Sequence, residues 1–501
     1  MKKYLFSAVI ALAAATGYAQ QDANTAADAL RYGTDNLTGT ARFRAMSGAF
    51  GAVGGDLSAI GVNPAGAAIF NFNTGTATLS SYNSNNKASF FGNTEKKNDN
   101  SFDLNQFGAV FVFNNSNEDA TMNRFTLGFN YENTNSFENN IFISGVNPTG
   151  SIDQYFLRYA NGLGNEGGIT LGTLRNADFE SLNYIDQQAY LGYNAYAFNP
   201  VTDSNDNTSY TSNVPATGNH YQESYQNTTG YNGKIALNFA MQLMKKLYLG
   251  ANVNVHFADY INSTSYFENM NNSTGIGLQS IRFDNRKYTY GGGVSFNLGA
   301  IYQATTNLRA GIAYESPTWL SLQDEIRQRI ISVNDGSTLV TDPNITMVSD
   351  NYTLKTPSKW TGSLAYVFGR SGLLSVDYSI RDYSNTKYTG SNHQGVNNEL
   401  ASTLNWAGEL RVGGEYRIKK LSLRGGYRYI QSPYDSGTKV IDDSFGYSGG
   451  LGFNFGGSRL DLAYSWFQRK NDVGLLNSNY IDAARVTSTN NNVSLSYTID
   501  L

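Results

Sequence analysis

From residue 106 to the end of the chain, apolar and polar residues take turns in short runs that keep recurring, and no other feature restricts the fold as tightly. In residues 106–114 the apolar set is Phe107, Ala109, Phe111 and Phe113; in 125–131 it is Phe125, Leu127, Phe129 and Tyr131, with Thr126, Gly128 and Asn130 between. Side chains two apart share one face of a strand, so each run makes a strand with one oily face. The pattern returns at 235–243, 247–257, 288–302, 308–314, 360–368, 374–380, 410–418, 421–429, 447–455, 460–466 and 493–499. A weaker run around Ala77, Leu79 and Ser81 brings the total to about fourteen, an even number as a closed barrel with both ends on one side requires. The connections alternate as well. Short ones fall at 244–246, 304–306, 369–372, 419–420 and 456–458, with a longer one at 114–123. Long polar ones fall at 83–104, 133–233, 261–286, 316–358, 383–407, 431–444 and 469–490. The order predicts an all-β, transmembrane antiparallel barrel with short periplasmic turns and long outer loops, the largest at 133–233.

Composition agrees where it bears on the choice. The chain has 35 Tyr, 28 Phe and 51 Gly but only 15% charged residues, which suits strands that are greasy on alternate positions. A formal charge of −4 argues against nucleic acid as a partner. Cysteine is absent, which excludes disulfides, thiolate metal clusters, a cysteine nucleophile and a lipidated cysteine. Lys2 and Lys3, the apolar run 4–16 and Gly17-Tyr18-Ala19 predict a signal peptide over 1–19, with a mature start near Gln20. No later run approaches the roughly 20 apolar residues of a membrane-spanning helix.

Ahead of the strands, residues 41–70 place Gly48, Gly51, Gly54, Gly55, Gly61 and Gly66 among small apolar residues. This composition allows tight turns and close backbone approach but supports neither a long helix nor a ladder. Asn63-Pro64-Ala65-Gly66 reads as a turn. A small Gly-rich segment with an Asn-Pro-Ala turn ahead of amphipathic strands resembles the N-terminal hatch of the FadL/TodX family. The resemblance continues through Gly311-Ile312-Ala313-Tyr314-Glu315-Ser316-Pro317-Thr318-Trp319 and Gly372-Leu373-Leu374-Ser375-Val376-Asp377-Tyr378. It implies a plug over 20–73 gated at Asn63, Pro64, Ala65 and Gly66, and a barrel over 74–501 in a Gram-negative outer membrane. It also implies a monomer that passively takes up hydrophobic compounds such as long-chain fatty acids or aromatic hydrocarbons, with no cofactor. Its partners are then the hydrophobic ligand, outer-membrane lipids and lipopolysaccharide, and the barrel-assembly machinery during insertion. The alternatives are a surface binding protein, adhesin or haemin receptor, and a general porin.

Other motifs have plainer readings. Gly446-Tyr447-Ser448-Gly449-Gly450 matches the hydrolase elbow, but His220, His256 and His393 all precede the serine, against the hydrolase order. Asp203-Ser204-Asn205-Asp206-Asn207 lacks the glycine and glutamate of a calcium loop, and the three histidines lie far apart in sequence. Two positions carry sharper expectations. The two-residue turn Lys419-Lys420 pairs Ile418 with Leu421, Glu415 with Arg424 and Arg411 with Arg428, all four charges pointing inward. Like charges at 411 and 428 need an anion between them: either Asp377, Asp461 or Asp56, docking the hatch, or the carboxylate of an amphipathic ligand. Gly128, in the third strand, marks either a contact with the plug or a break that opens the wall sideways.

Overall fold

The computed structural model describes residues 24–117, 120–162, 167–214, 218–272, 275–389, 393–437, 440–476 and 482–501; the expected signal peptide, 1–19, lies outside them. The alternating runs form a closed antiparallel barrel of 14 strands. In order these are β1 (Thr74–Phe90), β2 (Asn93–Asn114), β3 (Met122–Ser136), β4 (His220–Leu243), β5 (Leu247–Asn269), β6 (Leu278–Gln303), β7 (Leu308–Glu315), β8 (Lys359–Val367), β9 (Gly372–Asp382), β10 (Trp406–Ile418), β11 (Leu421–Ile430), β12 (Ser444–Asn454), β13 (Ser458–Gly474) and β14 (Ala483–Asp500). Closure is direct, β1 pairing with β14 from Thr74↔Asp500 to Ser89↔Arg485. Outward positions such as Leu237, Val253, Val294 and Leu364 are exposed, and aromatic rings stack along the belt, as with Phe113 on Phe125 at 4.6 Å. A closed sheet leaves no unpaired edge in lipid, and an apolar outer face then makes the belt a membrane surface.

Several segments read as outer loops are extensions of the strands. β1 and β2 stay paired out to Phe90↔Asn93, so most of 83–104 is a ribbon; β5 and β6 pair out to Asn269↔Ser280. Within 316–358, the strand Trp319–Asn334 pairs along β6, and the strands Ser337–Thr341 and Tyr352–Lys355 pair on its other side. Above the belt both faces of a ribbon meet water, so apolar alternation disappears while backbone groups still take ladder partners. The segment 133–233 differs most from a loop. β3 runs on to Ser136, Asn139–Asn147 pairs with β4, and between them and His220 lie helices α4 (Asp153–Ala160), α5 (Leu171–Asn176) and α6 (Tyr184–Asn194). These pack as a lid: Ile152, Phe156, Leu171 and Phe198 are buried in one cluster with Tyr266, Phe283 and Ile330 of the rim.

The segment before β1 fills the lumen. It contains α1 (Ala26–Gly33), α2 (Ala41–Ala45), α3 (Ala59–Val62) and a 3-10 turn (Pro64–Ile69). Thr25 and Asp28 form a capping box on α1, and Thr40 caps α2. Side-chain caps thus hold helices too short to persist alone. Gly54 has a φ of +61°, and a β-carbon there would lie 2.9 Å from the Cα of Gly66, so the chain folds back on itself where no side chain intervenes.

Candidate functional site

The wall grips the plug by buried polar contacts. Arg42 Nε donates to Glu415 Oε2 at 2.9 Å, and Arg424 Nε donates to the same oxygen at 2.7 Å. Arg424 also reaches Asp461 at 2.7 Å. Asp377 Oδ2 accepts the backbone N–H groups of Phe50 and Gly51, both at 2.9 Å. Fully buried Arg44 donates to Ser80 Oγ at 3.1 Å. Ser448 receives the N–H of Ser47 and donates to the carbonyl of Ala45, both at 3.0 Å, which gives it a docking role.

Asn63, Pro64, Ala65 and Gly66 sit at the tightest part of this contact. The Asn63 side chain caps the 3-10 turn by accepting from Ala65 N, and its Nδ2 donates to Gly51 O at 2.7 Å and to Ala300 O of β6 at 3.1 Å. Gly250, Gly299 and Gly311 of β5, β6 and β7 supply the space, since a β-carbon on any of them would meet plug backbone or Asn63 at 2.0–2.5 Å.

Between plug and lid lies a cavity of about 1040 Å³. One wall is aromatic, with Phe137, Tyr155, Tyr159, Tyr184 and Phe283. Ionic side chains line the cavity too, among them Lys359, Arg381, Glu409, Arg428 and Arg469, as do α1 and Asp35 of the plug and helix α7 (Gln394–Thr403). Lys359 and Arg381 both hold Asp35 at 2.7 Å. A smaller cavity of about 120 Å³ continues downward among Glu132, Lys234, His256, Glu315 and Arg411. The chamber is therefore amphipathic above and ionic below.

The lid is latched to the rim at Glu268. This fully buried carboxylate accepts from Ile152 N at 3.0 Å, from Gln222 Nε2 at 3.0 Å, and from the hydroxyls of Ser151 and Tyr266. It stands near the outer tip of β5, eleven residues beyond Phe257, the last of the apolar run, and so outside the belt. Burial pushes its carboxyl up to about 7, against the hydrogen bonds that favour the charged form.

Arg411 and Arg428 are directly paired across β10 and β11, as are Glu415 and Arg424. Glu409 lies between the two arginines. Arg411 donates to both its oxygens at 2.7 Å, Arg428 Nε donates to Oε1, and Arg428 Nη2 donates to Asp35 O at 2.9 Å. Neither Glu409 nor Asp35 was among the counter-ions expected from sequence. Glu409 is two residues before Arg411 on the same face, a same-strand neighbour that cross-strand pairing overlooks.

Gly128 faces the plug. A β-carbon there would lie 3.1 Å from Asn238 Cβ and 3.6 Å from Ile60 Cδ1, and the ladder passes it unshifted, with partners Val110 and Asn238. The β2–β3 ladder instead ends above it, at Gln106↔Glu132. Beyond that pair the described residues keep contacts made by side chains, such as Asn105 Nδ2 donating to the backbone O of Asn133 at 3.3 Å, beside the exposed Phe102 and Leu104.

The histidines stay apart. His256 bonds Ser295 at 2.8 Å, His393 stacks on Tyr388 and His220 begins β4. Asp203 holds Arg175 at 2.6 Å within the lid. Among the described residues no three His, Cys, Asp or Glu side chains are grouped to hold a metal.

A 14-strand barrel with a folded segment in its lumen and a lid above it is a FadL/TodX-type plugged barrel. Solved structures share this fold: a FadL homologue of Pseudomonas aeruginosa is similar at 14% identity, TM-score 0.57, over 93% of this chain and 99% of that one. The Pseudomonas putida toluene transporter TodX is similar at 15% identity, TM-score 0.51, over 93% of this chain and 99% of that one. The sequence profile of the BamG family matches residues 176–492, from the lid into β14, and the chain belongs to that family. No curated protein sequence matches it.

Proposed function

We propose that this protein is an outer-membrane channel for the passive uptake of hydrophobic and amphipathic small compounds, which collect in the lidded vestibule above the plug. The observation that carries this reading is the aromatic half of the 1040 Å³ cavity, Phe137, Tyr155, Tyr159, Tyr184 and Phe283. Apolar solutes are sparse in water and concentrate only where an apolar surface removes them from it, and a concave aromatic wall with a few polar groups opposite is what such ligands occupy. The fold shared with TodX, described as a toluene transporter, supports the same reading. The layer of Asp35, Glu315, Lys359 and Arg381 beneath the chamber is hostile to an apolar solute. Exit is therefore sideways, where the β2–β3 ladder ends above Gly128, and the plug is a fixed floor.

The test is mass spectrometry of molecules that co-purify with the detergent-extracted protein, beside a variant with Tyr155, Tyr159 and Tyr184 all changed to Ser. Apolar molecules enriched with the natural protein and depleted in the variant are expected; no enrichment over an unrelated barrel overturns the reading. The BamG family match favours a second reading, service beside the barrel-assembly machinery in the same membrane. It predicts that loss of the protein lowers the amount of other outer-membrane barrels while uptake of apolar compounds is unchanged.

A further inference from the structure

Two neighbouring turns on the periplasmic rim carry charge that nothing beside them offsets. Arg370 lies in the turn between β8 and β9, Lys419 and Lys420 form the turn between β10 and β11, and all three are exposed. The turns adjoin, since the N–H of Arg417 donates to the carbonyl of Ser371 at 2.7 Å. Over residues 365–375, 412–425 and 449–463, which hold these turns and the next one round the rim, the acids are Glu415 and Asp461. Both are committed inward, Glu415 to Arg42, Arg417 and Arg424, and Asp461 to Arg424 and Arg459. Arg370, Lys419 and Lys420 are left over, and this stretch of rim is positive. Nor does the backbone ask for lysine: Lys419 has a φ of +55°, where Asn or Gly is the usual occupant of a two-residue hairpin turn.

The sheet above these turns is apolar on its lipid side and has a shape that its own packing does not require. Gly413, Gly426 and Gly450 face the lumen, and a β-carbon on any of them would meet Met46 or Ala45 of the plug at 2.5–2.6 Å. Their neighbours Gly414, Gly425 and Gly449 face lipid and pair with one another across β10, β11 and β12. A β-carbon on any of these would find its nearest atom at 3.7–3.9 Å, an ordinary contact. Tyr427 and Tyr447 border the row on one side, their rings 5.2 Å apart, and Leu423 and Leu451 border it on the other. The bordering rows stand four residues apart, about 13 Å, so the space between their side chains is a shallow furrow of the width of one hydrocarbon chain. Lys420 is five residues from Gly425, about 17 Å along a tilted strand, which puts the furrow in the periplasmic half of a hydrocarbon layer about 30 Å thick.

We infer that Arg370, Lys419 and Lys420 hold the headgroup phosphate of an anionic phospholipid in the periplasmic leaflet, one of whose acyl chains lies in the furrow over Gly414, Gly425 and Gly449. The cationic turns match the charge of a headgroup at their own depth, and the glycines give its chain a seat. A zwitterionic lipid brings no net charge to the turns, and glycolipid of the outer leaflet lies on the far side of the membrane. This contact is independent of what the channel transports, since it lies on the outside of the wall, in the leaflet opposite the lid.

The test is native mass spectrometry of the purified protein in detergent with equal amounts of phosphatidylglycerol and phosphatidylethanolamine, reading how much of each lipid is retained. The natural protein is compared with the triple variant Arg370→Gln, Lys419→Asn, Lys420→Gly, which keeps a good hairpin turn, and with Lys245→Gln, Lys246→Gln, which removes two charges from the exposed turn between β4 and β5. Gly425→Leu fills the furrow, and Gly362→Leu adds the same bulk on the lipid side of β8, where nothing lies within 4 Å of a β-carbon. Migration of unheated samples on gels reports that each variant is folded, and Gly449→Leu fills the furrow from the next strand if Gly425→Leu does not fold. Expected is a preference for phosphatidylglycerol of about 10-fold or more in the natural protein, lost in the triple variant and kept in the Lys245, Lys246 variant. Gly425→Leu should weaken retention of phosphatidylglycerol and Gly362→Leu should not. No preference in the natural protein, or equal losses in the two charge-removing variants, overturns the headgroup site. Retention that falls in the triple variant but is unchanged by a folded furrow-filling variant overturns the seated chain.

Discussion

A β-carbon added at Gly299 would fall 2.0 Å from the side-chain oxygen of Asn63, so the wall strand and the plug turn fit together only because position 299 has no side chain. Gly299→Ala is expected to push the turn away from β6 and break the bonds from Asn63 to Ala300 and Gly51. Overpacking of this kind costs about 1–3 kcal/mol. Gly362→Ala is the matched control, since nothing lies within 4 Å of a β-carbon there. Urea unfolding in micelles should show a lowered midpoint for the first and none for the second. Equal midpoints would mean that the plug turn yields freely.

Glu415 ties the plug to the wall, because Arg42 comes to it from the plug while Arg424 and Arg417 come from the wall. Glu415→Gln leaves buried Arg42 and Arg424 short of a counter-charge. Removing one partner of a buried pair typically costs about 3–5 kcal/mol. The variant should lose its heat-stable folded migration at a lower temperature and expose the plug to protease added from the periplasmic side. Arg42→Met, which removes a charge and keeps apolar bulk, should be milder. If it is the more damaging of the two, the cluster is not held by its charges.

The latch at Glu268 should make lid attachment depend on pH. Its carboxyl is raised to about 7 in the folded protein from an ordinary 4.5, so between these values the folded state binds more protons than the unfolded one. The stability this group contributes is complete below about pH 4.5 and is lost as pH rises through 7, an effect on the order of 3 kcal/mol. Hydrogen exchange of amides in α4 and α6 should thus quicken, beyond the intrinsic rate, from pH 5 to pH 8. Glu268→Gln, neutral throughout, should remove that dependence. Identical profiles in the two proteins would place the lid's pH response elsewhere.

What the sequence reveals here depends on which environment each residue meets. Within the belt one face meets lipid and the other the lumen, so Phe107, Phe111, Leu237 and Leu495 declare strand and face together. The tight turn at Lys419-Lys420 fixes the pairing of Arg411 with Arg428, each eight residues from the turn. Above the belt Asn83 and Asn100 pair as regularly as any strand residues, yet nothing apolar marks them. The lid had a readable signal, since Ile152, Tyr155, Phe156 and Tyr159 repeat at helical spacing, but it was masked by the polar residues around it. Glu409 as counter-ion was beyond reach, because which charges share a lumen depends on strand tilt and on where the plug comes to rest.

Glu409 separates two readings of the Arg411/Arg428 pair. If its role is to neutralise them, Glu409→Gln should destabilise the barrel by roughly 3 kcal/mol, because two guanidiniums then face each other uncompensated. Removing one of them as well should restore part of the loss, so Glu409→Gln with Arg428→Gln should be more stable than Glu409→Gln alone. Such a cycle isolates the coupling between residues in contact. Strictly additive losses would show that the three side chains act independently. A ligand acid offers a further check. Glu409→Ala would both remove the charge and empty the space between Arg411 and Arg428, so octanoate should bind that variant more tightly than it binds the natural protein.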